Sequence, residues 1–184
     1  MPITVHSTKL HGIKLIEPKV FEDSRGYFFE SFNESEFEDV VGARVRFVQD
    51  NQSASLRHTL RGMHYQIGRP QGKLVRVLFG EIYDVVIDIR KSSPTFGCWE
   101  GFRVSAENRY QLWVPEGFAH GFMTLSDRAE VLYKATDFWY PAGERQIAWN
   151  DPDVGIVWPL DGTEPTLSAK DAQARRLADA EVFE

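Results

Sequence analysis

Gly72-Lys73-Leu74-Val75-Arg76-Val77-Leu78-Phe79-Gly80-Glu81-Ile82-Tyr83-Asp84-Val85-Val86-Ile87-Asp88-Ile89-Arg90 decides the fold. Two runs rich in branched aliphatic residues, 73–78 and 82–89, flank the turn Phe79-Gly80-Glu81, a pattern of paired antiparallel strands. Downstream, Ser92-Ser93-Pro94-Thr95 reads as a loop, and residues 99–104, 111–114, 121–125 and 130–138 read as further strands. Upstream, Ile13-Lys14-Leu15-Ile16, residues 26–32 and Arg46-Phe47-Val48 read the same way. No helix separates consecutive strands as a parallel sheet requires. The expected class is therefore all-β, an antiparallel double-sheet jelly roll with a few short helices. One helix is predicted over residues 34–41, where Phe37, Val40 and Val41 share a helical spacing. Another is predicted near the C-terminus, over residues 167–177, which are rich in alanine and charge after the N-cap candidate Ser168. With no repeat, low-complexity tract or linker, a single domain is expected over residues 1–184.

Composition narrows the function. The chain of 184 residues carries 21 Lys and Arg against 27 Asp and Glu, a net charge of −6 that argues against a basic nucleic-acid surface. At 42% hydrophobic and 26% charged, it has the material for a substantial core. The 13 Phe and 6 Tyr favour strands and a ring-binding surface over a helical bundle. Cys98 is the sole cysteine, which excludes an intramolecular disulfide and a thiolate metal cluster and fits a reducing compartment. The start Met1-Pro2-Ile3-Thr4-Val5-His6 has no leader pattern, and no run of eighteen apolar residues occurs. A cytoplasmic protein with no membrane partner is expected.

The chemistry begins at Leu60-Arg61-Gly62-Met63-His64-Tyr65-Gln66, where His64 and Gln66 share a face if the segment is a strand. A histidine satisfied by a backbone carbonyl is the plainer reading of His64 alone. The segment Val114-Pro115-Glu116-Gly117-Phe118-Ala119-His120 resembles the Pro-x-Gly-x-x-His turn of cupins, jelly-roll proteins that often bind a metal. Metal-binding cupins converge two histidines of a His-x-His pair, a nearby carboxylate and a later histidine on the ion. Here the second position is Gln66 and no acid follows before Gly80, so no metal site and no cofactor are expected.

Other motifs extend the pattern: Phe21-Glu22-Asp23-Ser24-Arg25-Gly26-Tyr27, Gln49-Asp50-Asn51-Gln52-Ser53, Gly72-Lys73-Leu74-Val75-Arg76, Leu132-Tyr133-Lys134, Trp149-Asn150-Asp151-Pro152 and Leu167-Ser168-Ala169-Lys170-Asp171. Taken together and in this order, they closely resemble the dTDP-4-dehydrorhamnose 3,5-epimerase family over residues 16–171. The resemblance implies a cupin-like barrel, a homodimer exchanging N-terminal strands, no metal, and dTDP-4-keto-6-deoxy-D-glucose as substrate. It further implies that His64 is the base, Asp171 its carboxylate partner, Tyr133 the proton donor on the opposite face and Lys73 the cation near the keto oxygen. Arg25 and Arg61 match phosphate and substrate contacts, and Glu30, Gln49, Asn51, His120, Glu144 and Lys170 match further contacts to nucleotide or sugar.

Those types suit the reaction: removing a proton beside a ketone needs a base, the enolate needs positive charge, and inversion needs a proton from the other face. Each residue also has a plainer reading. Asp171 closes a capping box begun by Ser168, Tyr133 is a core tyrosine, Lys73 a solvated turn lysine, and Arg25 and Arg61 surface arginines. One departure from the family is Phe138-Trp139-Tyr140, where paired tyrosines are frequent and thymine stacking is at stake. The competing functions are an epimerase acting at one carbon of a related dTDP-4-keto-6-deoxy sugar, a metal-dependent cupin oxygenase, and a non-catalytic nucleotide-sugar-binding jelly roll.

Overall fold

The computed structural model describes residues 3–184. Its elements are β1 (Thr4–His6), β2 (Lys14–Glu17), β3 (Phe21–Asp23), β4 (Gly26–Phe28), α1 (Glu34–Val41), β5 (Gln49–Leu56), β6 (Leu60–Gln66), β7 (Lys73–Phe79), β8 (Glu81–Asp88), β9 (Trp99–Ser105), β10 (Gln111–Val114), β11 (Phe118–Thr124), β12 (Arg128–Ala135) and β13 (Glu144–Gln146). One sheet runs β1-β2-β10-β7-β12-β5 and the other β13-β6-β11-β8-β9, with β3 and β4 forming a separate hairpin. Every pairing between these strands is antiparallel. This is the double-sheet, cupin-like roll that the sequence predicts.

Alternation along the strands sorts the residues into layers. Val75, Val77, Leu112, Val114 and Val131 of the first sheet meet Val86, Phe102, Val104, Phe118 and Phe122 of the second in the buried interior. The outer face of the second sheet buries Met63, Tyr65, Val85, Ile87 and Met123 under the later chain, through Ile147, Val154, Trp158, Leu167, Leu177 and Phe183. The outer face of the first sheet buries Ile16, Leu74 and Trp113 under Phe37 of α1, with Phe32 and Phe47. That helix begins at Asn33, whose side chain accepts from the Glu36 amide, and ends at Gly42 in the left-handed conformation.

Three expectations need correction. The helix expected over 167–177 is present only as short 3-10 turns, Asp171–Gln173 and Leu177–Asp179, and not as one continuous helix, because Leu167 and Leu177 are drawn onto the second sheet and stretch the segment between them. The strand expected over 26–32 ends at Phe28, and Phe32 turns inward to stack edge-on against Phe47. Residues 46–48 are not a strand, since Phe47 packs against Phe37 and Trp113 instead of entering a ladder.

Candidate active site

Strand register fixes which polar side chains share the interior. In the first sheet Tyr133 lies opposite Val75 and Asn51, while Ala135 lies opposite Lys73 and Gln49, so Lys73, Tyr133, Gln49 and Asn51 share the face of the core valines. In the second sheet His64 lies opposite His120 and Gln146, Gln66 opposite Glu144, and His120 opposite Val86. The interior therefore has polar groups on both walls. An irregularity between Arg61 and His64 brings Arg61 to the same side, where its Nε donates to Ser55 Oγ at 2.9 Å. Gly62 has φ +129, and a Cβ there would lie 2.5 Å from the Gly121 Cα, so only glycine lets β6 and β11 approach this closely.

His64 and Asp171 meet although 107 positions separate them: Nε2 and Oδ1 are 2.5 Å apart. A carboxylate only accepts, so Nε2 carries the proton and the lone pair is on Nδ1. The other oxygen, Oδ2, accepts from Ser168 Oγ at 2.8 Å, and Ser168 Oγ accepts from the Asp171 amide at 3.1 Å. The local cap and the histidine partner are thus one carboxylate using its two oxygens. Burial alone raises the Asp171 pKa, but the bond and charge of His64, then Ser168 and the Gly62 backbone, hold it below the usual carboxylate range. The His64 side chain is 32% exposed and that of Asp171 only 4%, so the base is reachable while its partner is not.

On the facing wall Lys73 is half-buried, and burial pushes its pKa down to about 8, with Asp84 and Glu144 opposing the fall. It is not the solvated turn lysine of the plainer reading. Burial also raises the Tyr133 hydroxyl, helped by Glu144 and opposed by Arg61, so the phenol stays protonated at neutral pH. Glu144 binds Lys170 at 2.6 Å. Burial would raise the Glu144 pKa, but Lys170, then the Trp139 side chain and the His64 charge, bring it below its ordinary value.

The remaining expected residues divide. Gln49 Nε2 donates to Asn51 Oδ1 at 2.9 Å, and its Oε1 accepts from the Trp139 amide at 3.0 Å. His120 lies beside His64, but its Nε2 is 2.7 Å from Asp84 Oδ1 in a buried pair. Gln66 donates to the carbonyls of Arg69 and Phe138 and accepts from the Tyr140 amide at 2.7 Å. Its amide is committed to the loop after β12, the loop that carries Phe138-Trp139-Tyr140. Among the described residues, no three His, Cys, Asp or Glu side chains converge as a metal-ligand group. Arg25 and Glu30 lie elsewhere. Arg25 is at the tip of the β3–β4 hairpin, 87% exposed and bound to Asp23, and Glu30 flanks Phe37, Leu74 and Gln111 by the outer face of the first sheet.

Two inward-facing groups carry no role in the sequence motifs, Asp84 and Gln146, and Ser168, expected only as a cap, also holds the carboxylate that meets His64. Asp84 is fully buried, binds His120 and leaves Oδ2 without a partner, as does Gln146 Oε1. An acid inside the run Ile82-Tyr83-Asp84-Val85-Val86-Ile87 was the available signal for Asp84, since aspartate is almost never buried unless it is paired.

A family model described as dTDP-4-dehydrorhamnose 3,5-epimerase matches residues 7–179. The chain is 58% identical to the dTDP-4-dehydrorhamnose 3,5-epimerase of Pseudomonas aeruginosa over 169 residues, covering 92% of this chain and 93% of that one. It is 55% identical to the Salmonella typhimurium enzyme of the same name over 181 residues, 98% of each chain. Among solved structures, a 3,5-epimerase of Legionella pneumophila in complex with dTDP-4-keto-L-rhamnose superposes with a TM-score of 0.93 at 48% identity, covering 96% of this chain and 94% of that one.

Proposed function

The chain belongs to the dTDP-4-dehydrorhamnose 3,5-epimerase family, and from that premise we propose how its two walls invert the sugar of dTDP-4-keto-6-deoxy-D-glucose at C3 and C5. The enzyme is an isomerase. The observation that carries the reading is the division of groups between the sheets: an oriented base on the second, a half-buried cation and a protonated phenol on the first.

His64 takes a proton from a carbon beside the C4 ketone through Nδ1, and the electron pair moves to the ketone oxygen. The imidazolium that forms is held by Asp171, whose lowered pKa keeps it ionised at neutral pH. The Lys73 ammonium stabilises the enolate oxygen. Collapse of the enolate takes a proton from Tyr133 on the opposite face, and the configuration inverts. One proton leaves and one returns, so no oxidant is consumed. Performing this at C5 and at C3 gives dTDP-4-keto-L-rhamnose.

Diphosphate recognition needs concentrated positive charge on this acidic chain. Arg61 is at the site, whereas Arg25 rides on a hairpin that exposes Phe21, Tyr27 and Phe28 and is braced by Arg109 lying 4.2 Å over the Tyr27 ring. A two-stranded ribbon with exposed aromatics is marginal by itself. In our reading a second copy of the chain covers it, and Arg25 completes the partner's site in a homodimer.

The test is incubation with dTDP-4-keto-6-deoxy-D-glucose in deuterated water without added metal, read by mass spectrometry and proton NMR. Two deuterons, at C3 and C5, are expected. Deuterium at C3 alone would make the chain a monofunctional relative, and none, with dTDP still bound, would make it a binding module.

A further inference from the structure

Asp171 comes to His64 on a stretch of chain with little structure of its own: between 166 and 177 the only regular element is the single turn Asp171–Gln173. The stretch is pinned at both ends. At its start, the Thr166 amide donates to the His58 carbonyl at 2.9 Å, and the Leu60 amide donates to the Thr166 carbonyl at 3.0 Å. At its far end, the Ala148 amide donates to the Arg175 carbonyl at 2.7 Å, and Ile147 bridges Arg175 in parallel register. Ile147 also exchanges backbone hydrogen bonds with Met63, the neighbour of His64, at 3.0 and 3.2 Å. The last fastening is a side chain: Asp151 Oδ2 accepts from the Leu177 amide at 2.6 Å while Oδ1 accepts from the Asp153 amide at 2.9 Å.

Asp151 is 2% exposed, and these two bonds are made to backbone N–H groups. Adhesion of this stretch to the second sheet comes from Leu167 and Leu177, which lie in an apolar cluster. Apolar contact holds a segment down but is not directional, whereas a charge-assisted hydrogen bond fixes register. A carboxylate buried under the sheet, bound to the far end of the stretch that carries Asp171, therefore sets where that stretch stops.

We propose that Asp151 is a positioning residue for the epimerisation, fixing the far end of the 166–177 strap and through it the aim of Asp171 at His64. The proposal rests on the reading of His64 and Asp171 as the base pair. Two substitutions remove the fastening from opposite ends. Asp151→Ala deletes the acceptor. Leu177→Pro deletes the donor together with the Leu177 side-chain contact, so Leu177→Ala, which loses the contact and keeps the amide, is its control, and Arg176, at φ −68 and ψ 156, already has the extended backbone that a following proline demands. Either variant alone carries the test if the other fails to fold.

Because a small misplacement of a catalytic group costs rate more than affinity, kcat should fall roughly tenfold with KM held within about twofold. The 15N shifts of the His64 ring should move toward those of Asp171→Asn, reporting a loosened tautomer. In an Asp171→Asn background, Asp151→Ala should cost no further rate. An equal loss in both backgrounds, or a lower melting temperature with kcat and the ring signals unchanged, would reduce Asp151 to a structural anchor. If Asp171→Asn itself left kcat and proton exchange intact, the base-pair reading would fail. If that variant lost both while the fastening variants did not, the positioning role alone would fail.

Discussion

Two histidine–aspartate pairs stand side by side on β6 and β11, and their differences assign their work. His64 and His120 are cross-strand neighbours, and each places Nε2 on a carboxylate, at 2.5 and 2.7 Å. The His64 side chain is 32% exposed and that of His120 only 9%. The acid of His64 arrives on an irregular strap, whereas that of His120 comes from β8, two strands that pair directly. The accessible pair can meet a substrate and the enclosed pair cannot do so as readily. Asp84 also opposes the effect of burial on Lys73, so the inner pair supports charge across the barrel. A shared residue pairing thus sits in two environments, distinguished by exposure and by the element that delivers the acid.

The largest expected effect separates the pairs outright. His64→Ala should lower solvent-proton exchange at C3 and C5 by about 10³-fold or more, while His120→Ala should leave exchange measurable. Equal loss in the two variants would erase the distinction. Next, Asp171→Asn should cost about 10²–10⁴ in kcat by leaving the wrong tautomer, and Asp84→Asn less. Steady-state rates on both variants decide this. An order reversed from that would give the inner pair the leading role.

How much of this was legible in sequence follows from what each strand faces. β7 and β8 alternate apolar residues around a glycine turn and could be read directly, as could α1 from the spacing of Phe37, Val40 and Val41. β5 could not: Gln-Asp-Asn-Gln-Ser-Ala-Ser-Leu lacks apolar alternation because its inward face lines the site and the core ladder supplies its stability. Asp171 was legible only through family resemblance, since Ser168 does occupy one of its oxygens as a cap would. The strap was read as a helix because its Ala and charge content favours one, and burial of Leu167 and Leu177 overrode that preference.

A smaller effect concerns Arg25, placed far from the pairs within one chain. Arg25→Ala should raise KM for the dTDP-sugar about tenfold or more, from the loss of a charge-assisted phosphate contact, with little change in melting temperature because the side chain is 87% exposed. Mixing Arg25→Ala with His64→Ala protomers should restore activity if the hairpin serves the partner's site. No restoration on mixing would return Arg25 to its own chain or to the solvent.

The smallest effect is a pH limb. Lys73 has its pKa lowered to about 8 by burial, so the ammonium is present below that pH and lost as pH rises through it. The rate should therefore fall above about pH 8, and Lys73→Arg should move that fall to higher pH, since guanidinium remains charged. The stability consequence has its own sign. Between about 8 and the ordinary lysine value of 10.5 the unfolded chain binds the proton and the folded one does not, so this group's contribution makes stability rise with pH across that window. A rate flat through pH 9 would detach Lys73 from the reaction.

The central claim is that deprotonation and reprotonation come from opposite walls, and Tyr133→Phe tests it most directly. In deuterated water, with dTDP-4-keto-6-deoxy-D-glucose, deuterium uptake at C3 and C5 and the configuration of the product are followed together. The account predicts that the variant still exchanges protons through His64 while net inversion drops far more. Equal loss of exchange and inversion would contradict it and make Tyr133 a structural member of the barrel.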